Sequence, residues 1–278
     1  MKEEQAMSLT TSSLFDVSGL VAVITGGATG IGLMMTRALA ANGAAKVFIV
    51  GRRREKLESA ASEYPDIVVP VVGDVTSKES LKQVAEKVKA EAGFVNLLVC
   101  NSGVMGPRVD VKPGEVSVAE YAQKAFDIDY NETVDTFAVN TASVMYTSYA
   151  FLELLDAGNQ KKNRVGIKSQ ILITSSIASF SRLPGLSMAY NASKAATTHF
   201  TKHLSSTLVP YSIRVNAIAP GLFPSELAAG LISHAKMEPD QEGAFDKSFI
   251  PAERTGSETD MGVPYCIWRA RQAHTSMA

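Results

Sequence analysis

Six short runs along the chain are apolar at nearly every position: LVAVIT (20–25), KVFIV (46–50), IVVPVV (67–72), NLLVC (96–100), SQILITS (169–175) and IRVNAIA (213–219). A strand with one wet face alternates apolar and polar residues; these do not, which predicts strands covered on both faces. Amphipathic stretches lie between them. IGLMMTRALAANG (31–43) ends at a glycine in C-cap position, and SKESLKQVAEKVKAEAG (77–93) opens on a serine N-cap and closes the same way. The alternation predicts an α/β fold, a doubly wound parallel sheet with right-handed crossovers. Ligands of such sheets bind beyond the carboxyl ends of the strands, so the chemistry is sought in the segments that follow each strand.

Composition narrows the partners. The chain has 278 residues, 46% of them hydrophobic, enough to bury a substantial core. Neither linker nor repeat divides it, so one domain is expected over residues 17–262, with an N-terminal arm at 1–16 and a tail at 263–278. A formal net charge of -1 gives no global attraction to nucleic acid or anionic membrane, and neither is expected as a partner. MKEEQAMSLTTSSLF carries acids and no apolar core, so it does not read as a secretory signal. Of the two cysteines, Cys100 ends an apolar run and is expected as a buried thiol, which suits a reducing compartment; a cytoplasmic protein follows.

The first strand runs into TGGATGIG, Thr25 to Gly32. Its G-x3-G-x-G spacing differs from the G-x-G-x-x-G dinucleotide fingerprint, yet meets the same physical need. Glycines permit a sharp turn and let backbone amides approach a pyrophosphate at a helix N-terminus. Gly26, Thr29, Gly30, Ile31 and Gly32 are therefore the expected phosphate cradle. The second strand ends IVGRRREK, where an NAD site would usually place an acid for the ribose 2′-hydroxyl. Arg52 and Arg53 stand there instead, and guanidinium forks suit a 2′-phosphate. NADPH is expected over NADH, with NADH the alternative.

With these features in place, the chain resembles the short-chain dehydrogenase/reductase family, in its main single-domain branch with a Rossmann-type sheet, over roughly residues 17–262. TGGATGIG is similar to that family's cofactor motif. Asp74-Val75 resembles its adenine-contacting pair, and Asn101, Ser102 and Gly103 in CNSG resemble its Asn-Asn-Ala-Gly motif, with Cys100 and Ser102 as departures. Pro220, Gly221, Leu222, Phe223 and Ser225 in APGLFPSEL resemble the segment flanking the nicotinamide. Asn140, Ser176, Tyr190 and Lys194 resemble the catalytic tetrad, with Ser175 a rival for Ser176.

The resemblance implies interconversion of a ketone and a secondary alcohol. Tyr190 would act as general acid/base and Ser176 would steady the developing oxyanion. Lys194 would hold the ribose, and Asn140 would hold a water leading to Lys194. Tyr190 and Lys194 also contact the cofactor in this reading. A free phenol is too weak an acid at about pKa 10, and lowering it by ~3 units corresponds to about 4 kcal/mol, a task assigned to nearby cations, Lys194 one turn away and the oxidised nicotinamide when present. The motifs are similar to those of 3-oxoacyl reductases, including rhamnolipid-synthesis types; secondary-metabolite ketones and sugar-like polyols stay open as substrates. Pairing through the helices of Asn140 and Tyr190 implies a homodimer or homotetramer.

Three features stand apart. His199 and His203 are one turn apart but lack a third ligand, so no metal is expected. Residues 108–132 exceed a minimal connection and either shape a substrate rim or carry extra helix. After residue 262 the chain reads VPYCIWRARQAHTSMA, without the family's last strand and glycines, and Pro264 is expected to interrupt a helix. An altered terminus that leaves the sheet one strand short sustains a second reading, an NADP-binding variant impaired in catalysis.

Overall fold

The computed structural model describes residues 16–163, 167–183 and 186–267, with side chains to residue 262. Six parallel strands form one sheet: β1 (Val21–Thr25), β2 (Lys46–Gly51), β3 (Val68–Val72), β4 (Leu97–Cys100), β5 (Gln170–Thr174) and β6 (Arg214–Ile218). Their order is β3-β2-β1-β4-β5-β6. The chain begins at the centre, winds to one edge, then crosses back to build the other. The reversal lies between β1 and β4, where Ala22 is in register with Leu97 and Ile24 with Val99. Such a switch point opens a crevice at the carboxyl ends, the predicted place for a ligand.

The faces of β1 explain the unbroken apolar runs. Val21 and Val23 enter one core with Phe48, Leu98 and Ile171, while Ala22 and Ile24 enter the other with Ile49, Val99 and Leu172. The second core is closed by Met35 and Leu39 of α1 (Gly30–Ala41) and Leu57 of α2 (Arg54–Ala61). The first is closed by Val84 and Val88 of α3 (Lys78–Ala92). It also takes in Leu154 and Leu155 of α7 (Leu152–Lys161), and Leu204 of α8 (Met188–Thr207). Both predicted caps of α3 form: Ser77 Oγ accepts from Ser80 N at 3.2 Å, and Gly93 takes φ +78°.

Residues 108–132 carry extra helix, α4 (Val118–Phe126), none of whose residues is buried. It leads into α5 (Tyr130–Phe137), a π-turn over Ala138–Ala142, and α6 (Ser143–Ala150). A short α9 (Ala229–Ile232) follows β6.

The expectation for Pro264 is corrected: the backbone is helical through it, in α10 (Glu258–Ile267). Proline removes the hydrogen bond that would reach the Asp260 carbonyl. The helix is held from its other end. Ser257 Oγ accepts from Asp260 N at 3.2 Å, the Asp260 carboxylate meets Arg254 Nη1 at 2.6 Å, and Met261 is buried in the core that contains α1. Among the described residues the sheet has six strands with β6 at its edge. The expected loss of a further strand concerns residues 263–278, of which 263–267 are helical and 268–278 lie outside the described residues.

Candidate active site

The glycine turn is built by backbone that only small residues allow. Gly26 and Gly30 take φ of +65° and +52°. A Cβ on Gly32 would overlap the Gly26 carbonyl oxygen and lie 2.6 Å from Asn101 Nδ2. Thr25 Oγ1 accepts from the amides of Asn101 (2.9 Å) and Ser102 (3.2 Å), while Asn101 Nδ2 donates back to the Thr25 carbonyl at 3.1 Å. The ends of β1 and β4 are thereby stitched together beneath the turn. Thr29 precedes α1 without capping it, and no acid stands in the first turn. The positive end of the helix and its amides thus keep their capacity for an anion.

At the next strand ends, Asp74 Oδ1 accepts from Thr76 N (2.9 Å) and Thr76 Oγ1 (2.7 Å). These bonds, with a smaller contribution from the charge of Arg52, hold its carboxyl below the usual carboxylate range. Val75 beside it is buried. Arg53 is committed to Glu226, Nη1 to Oε2 at 2.8 Å, whereas Arg52 makes no ion pair among the described residues.

Beyond β5, the two rival serines part company. Ser175 Oγ lies 2.6 Å from Thr198 Oγ1 and 3.3 Å from the Lys194 carbonyl, committed to the backbone and packing of α8. Ser176 Oγ accepts from Ala178 N at 3.1 Å, and Ser176 acts on the Tyr190 phenol, partly lowering its pKa. Helix α8 opens on Ser187, whose hydroxyl accepts from Tyr190 N at 3.2 Å and donates to the Pro107 carbonyl at 2.6 Å. One turn into this helix, Lys194 is 4% exposed and its Nζ donates to the Thr174 carbonyl at 2.7 Å. A Cβ on Gly103 would lie 3.5 Å from that Nζ and 3.3 Å from Asn140 Oδ1, so β4, α8 and the π-turn meet at this glycine.

Asn140 sits in the π-turn, fully buried. Its Nδ2 donates to the Val104 carbonyl (2.9 Å) and Ser193 Oγ (3.0 Å), and its Oδ1 accepts from Val104 N (2.8 Å). Its carbonyl accepts from Thr197 Oγ1 at 2.7 Å. The expected water-holding amide is thus engaged with protein groups at both ends. Pro220 accepts from Ile177 N (3.1 Å), Leu222 accepts from Gly256 N (2.9 Å), and the Phe223 ring lies where a Gly256 side chain would be. Gly221 faces Ile177, and Ser225 lies against Gly30 of the cradle. Thr174, Ser193, Thr197, Val104 and Glu226 were not among the sequence-predicted residues. Ser193 and Thr197 follow Tyr190 by three and seven positions, a one-face spacing that could have flagged them.

Charge behaves differently from the expectation. Burial pushes the Tyr190 phenol up, offset in part by Ser176. Burial pushes Lys194 down to about 8. Burial penalises the charged form of both groups and so opposes the expected acidification of the phenol.

The model of the family described as short chain dehydrogenase matches residues 20–236, a span that includes the turn, Asn140, Ser176, Tyr190 and Lys194. The chain belongs to the short-chain dehydrogenase/reductase family. It is an NAD(P)-dependent oxidoreductase of that family. The short-chain dehydrogenase/reductase PhomF of Diaporthe leptostromiformis is 44% identical over 270 residues, covering 96% of this chain and 90% of that one. SAT3 of Stachybotrys chartarum, described in the same words, is 42% identical over 243 residues, covering 82% and 88%. The RhlG/NADP complex of Pseudomonas aeruginosa shares the fold, with a TM-score of 0.74 over 93% of this chain and 92% of that one at 24% identity. The 3-ketoacyl-(acyl-carrier-protein) reductase of Brucella melitensis, complexed with NADH, is 27% identical with a TM-score of 0.64, covering 77% and 80%. The uncapped start of α1, its lack of first-turn acids and the close-packed Gly26–Gly32 turn fit the dinucleotide that this family uses.

Proposed function

We propose that the protein is an NADPH-dependent oxidoreductase that interconverts a ketone and a secondary alcohol, with Tyr190 as general acid/base. The observation that carries this reading is Lys194, buried and anchored on the Thr174 carbonyl one turn behind Tyr190, its Nζ 5.8 Å from the centre of the Tyr190 ring, with Ser176 acting on the same phenol. Gly26, Thr29, Gly30, Ile31 and Gly32 would hold the pyrophosphate, and Asp74, Val75, Asn101, Ser102 and Gly103 the adenosine and inner ribose. Pro220, Gly221, Leu222, Phe223 and Ser225 would flank the nicotinamide. Arg52 and Arg53 favour a 2′-phosphate, hence NADPH over NADH. When bound, the nicotinamide supplies or accepts the hydride. Tyr190 Oη gives a proton to the substrate oxygen in reduction and takes it back in oxidation. Ser176 donates a hydrogen bond to the same oxygen as negative charge builds there. Lys194, when protonated, favours the phenolate by its charge, and its burial keeps that charge undiluted by solvent. Asn140 is read as the residue that fixes the turn behind Lys194.

An apolar, 3-oxoacyl-type ketone is the favoured substrate over a sugar-like polyol. Between the catalytic serine and tyrosine, Ile177, Phe180, Leu183 and Met188 are exposed, and residues 175–190 contain no carboxylate to bind hydroxyl groups. Exposed Val134, Phe137, Tyr146 and Tyr149 on α5 and α6 support a homodimer or homotetramer. No described helix is long and apolar enough to cross a membrane, and a cytoplasmic place is proposed with the rest. The packing of Met261 of α10 into the core favours the enzyme over an impaired cofactor binder. The test is NADPH oxidation against a panel of apolar ketones, 3-oxoacyl thioesters and sugars. Turnover lost in Tyr190→Phe supports the proposal, and dinucleotide binding with no turnover of any carbonyl or alcohol sinks it.

A further inference from the structure

Arg53 stands at the N-cap position of α2, immediately after β2, and its Nη1 reaches Glu226 Oε2 at 2.8 Å and Oε1 at 3.1 Å. Glu226 follows Ser225, the residue packed on Gly30 at the start of α1. The pair therefore spans from the turn after β2 to the segment after β6, across the phosphate cradle. Both side chains are more than half exposed, so the pair is weak and can exchange partners. Arg52 makes no ion pair among the described residues, and its charge helps to lower the Asp74 pKa.

From this geometry we infer that Glu226 is a specificity-determining residue that weakens the protein's hold on 2′-phosphorylated dinucleotides by competing for Arg53. The inference rests on the reading of Arg53 as a 2′-phosphate ligand. A phosphate dianion is the stronger partner for a guanidinium fork, so Arg53 leaves Glu226 when NADP binds. The carboxylate is then left unpaired beside added negative charge. A dinucleotide with a free 2′-hydroxyl makes no such demand, and the Arg53–Glu226 bridge stays closed. Glu226 thus narrows the preference set by the arginines without touching the nicotinamide.

Calorimetric dissociation constants for NADP⁺ and NAD⁺ test this in the wild-type protein, Glu226→Gln, Arg53→Gln and the double variant. Releasing a surface ion pair is expected to tighten NADP⁺ about two- to fivefold in Glu226→Gln, with NAD⁺ changed less than about twofold. Arg53→Gln is expected to weaken NADP⁺ about tenfold or more and to abolish the gain from Glu226→Gln. The inference is overturned if Glu226→Gln leaves NADP⁺ affinity unchanged, weakens both dinucleotides alike, or tightens NADP⁺ equally without Arg53. Wild-type protein that prefers NAD⁺ counts against the NADPH reading alone; a gain for NADP⁺ in Glu226→Gln would still support the role of Glu226. Failure to bind either dinucleotide overturns both.

Discussion

Lys194 Nζ donates to the carbonyl oxygen of Thr174 at 2.7 Å from an environment that burial makes costly for its charge. Its pKa falls to about 8, from an unfolded value of about 10.4. Between those values the unfolded chain binds the extra proton and the folded one does not. This group's contribution to stability therefore rises with pH from about 8 to about 10.4 and is lost as pH falls through 8. The span corresponds to about 3 kcal/mol. Lys194→Met is expected to raise the urea midpoint at pH 7 and to flatten the rise between pH 7 and 9.5. Measurement stops there because the raised Tyr190 pKa acts with the opposite sign, removing stability above the ordinary phenol value near pH 10. Equal pH slopes in the two proteins would contradict the assignment.

Removing one oxygen from Tyr190 tests the chemistry apart from binding. In Tyr190→Phe the ring remains and the proton donor goes, so kcat is expected to fall by about 10²-fold or more. Dinucleotide affinity, followed by calorimetry, is expected to change little, because the amides of the glycine turn are untouched. A variant that kept more than a tenth of its kcat would exclude the phenol as the proton carrier.

The adjacent serines should give opposite signatures. Ser176 acts on the phenol, so Ser176→Ala is expected to lower kcat by about 10²-fold, well beyond what the loss of its bond from Ala178 N takes from stability. Ser175 is buried between Thr198 Oγ1 and the Lys194 carbonyl, so Ser175→Ala is expected to cost about 1–2 kcal/mol of stability. Any loss of activity there should follow from unfolding. Reversed effects would exchange the two roles.

What the sequence made legible was whatever depends on local pattern. Five of the six strands fall inside the apolar runs and β2 passes its run only by Gly51, since burial on both faces suppresses alternation wherever it occurs. The Ser77 cap and the Gly93 stop were readable because single residues determine them. The π-turn at Asn140 was not, because it rests on bonds to Val104, Ser193 and Thr197, partners 36 to 57 residues distant. Arg53 could be read as a phosphate ligand from its place after β2, but its partner Glu226 lies 173 residues on. Pro264 misled because helix propensity is a local cost, whereas the Ser257 cap and the packing of Met261 hold the helix in place. The direction of the Tyr190 shift also eluded pattern: Lys194 one turn away was readable, but the depth of burial was not.

Two glycines at strand and helix ends should respond differently to the same added methyl. At Gly93 a Cβ meets nothing within 4 Å, so Gly93→Ala bears only the strain of its left-handed φ of +78°, about 1 kcal/mol. At Gly32 the Cβ would enter the Gly26 carbonyl and crowd Asn101 Nδ2, both fixed by the bonds that join β1 to β4. Backbone there cannot yield without opening the turn, so Gly32→Ala is expected to cost about 1–3 kcal/mol or more. It should also weaken dinucleotide binding, which Gly93→Ala should leave intact. Urea unfolding and calorimetry on the two variants check both halves. Equal losses of stability with equal affinity would mean that the turn is a pliable connection and not a shaped cradle.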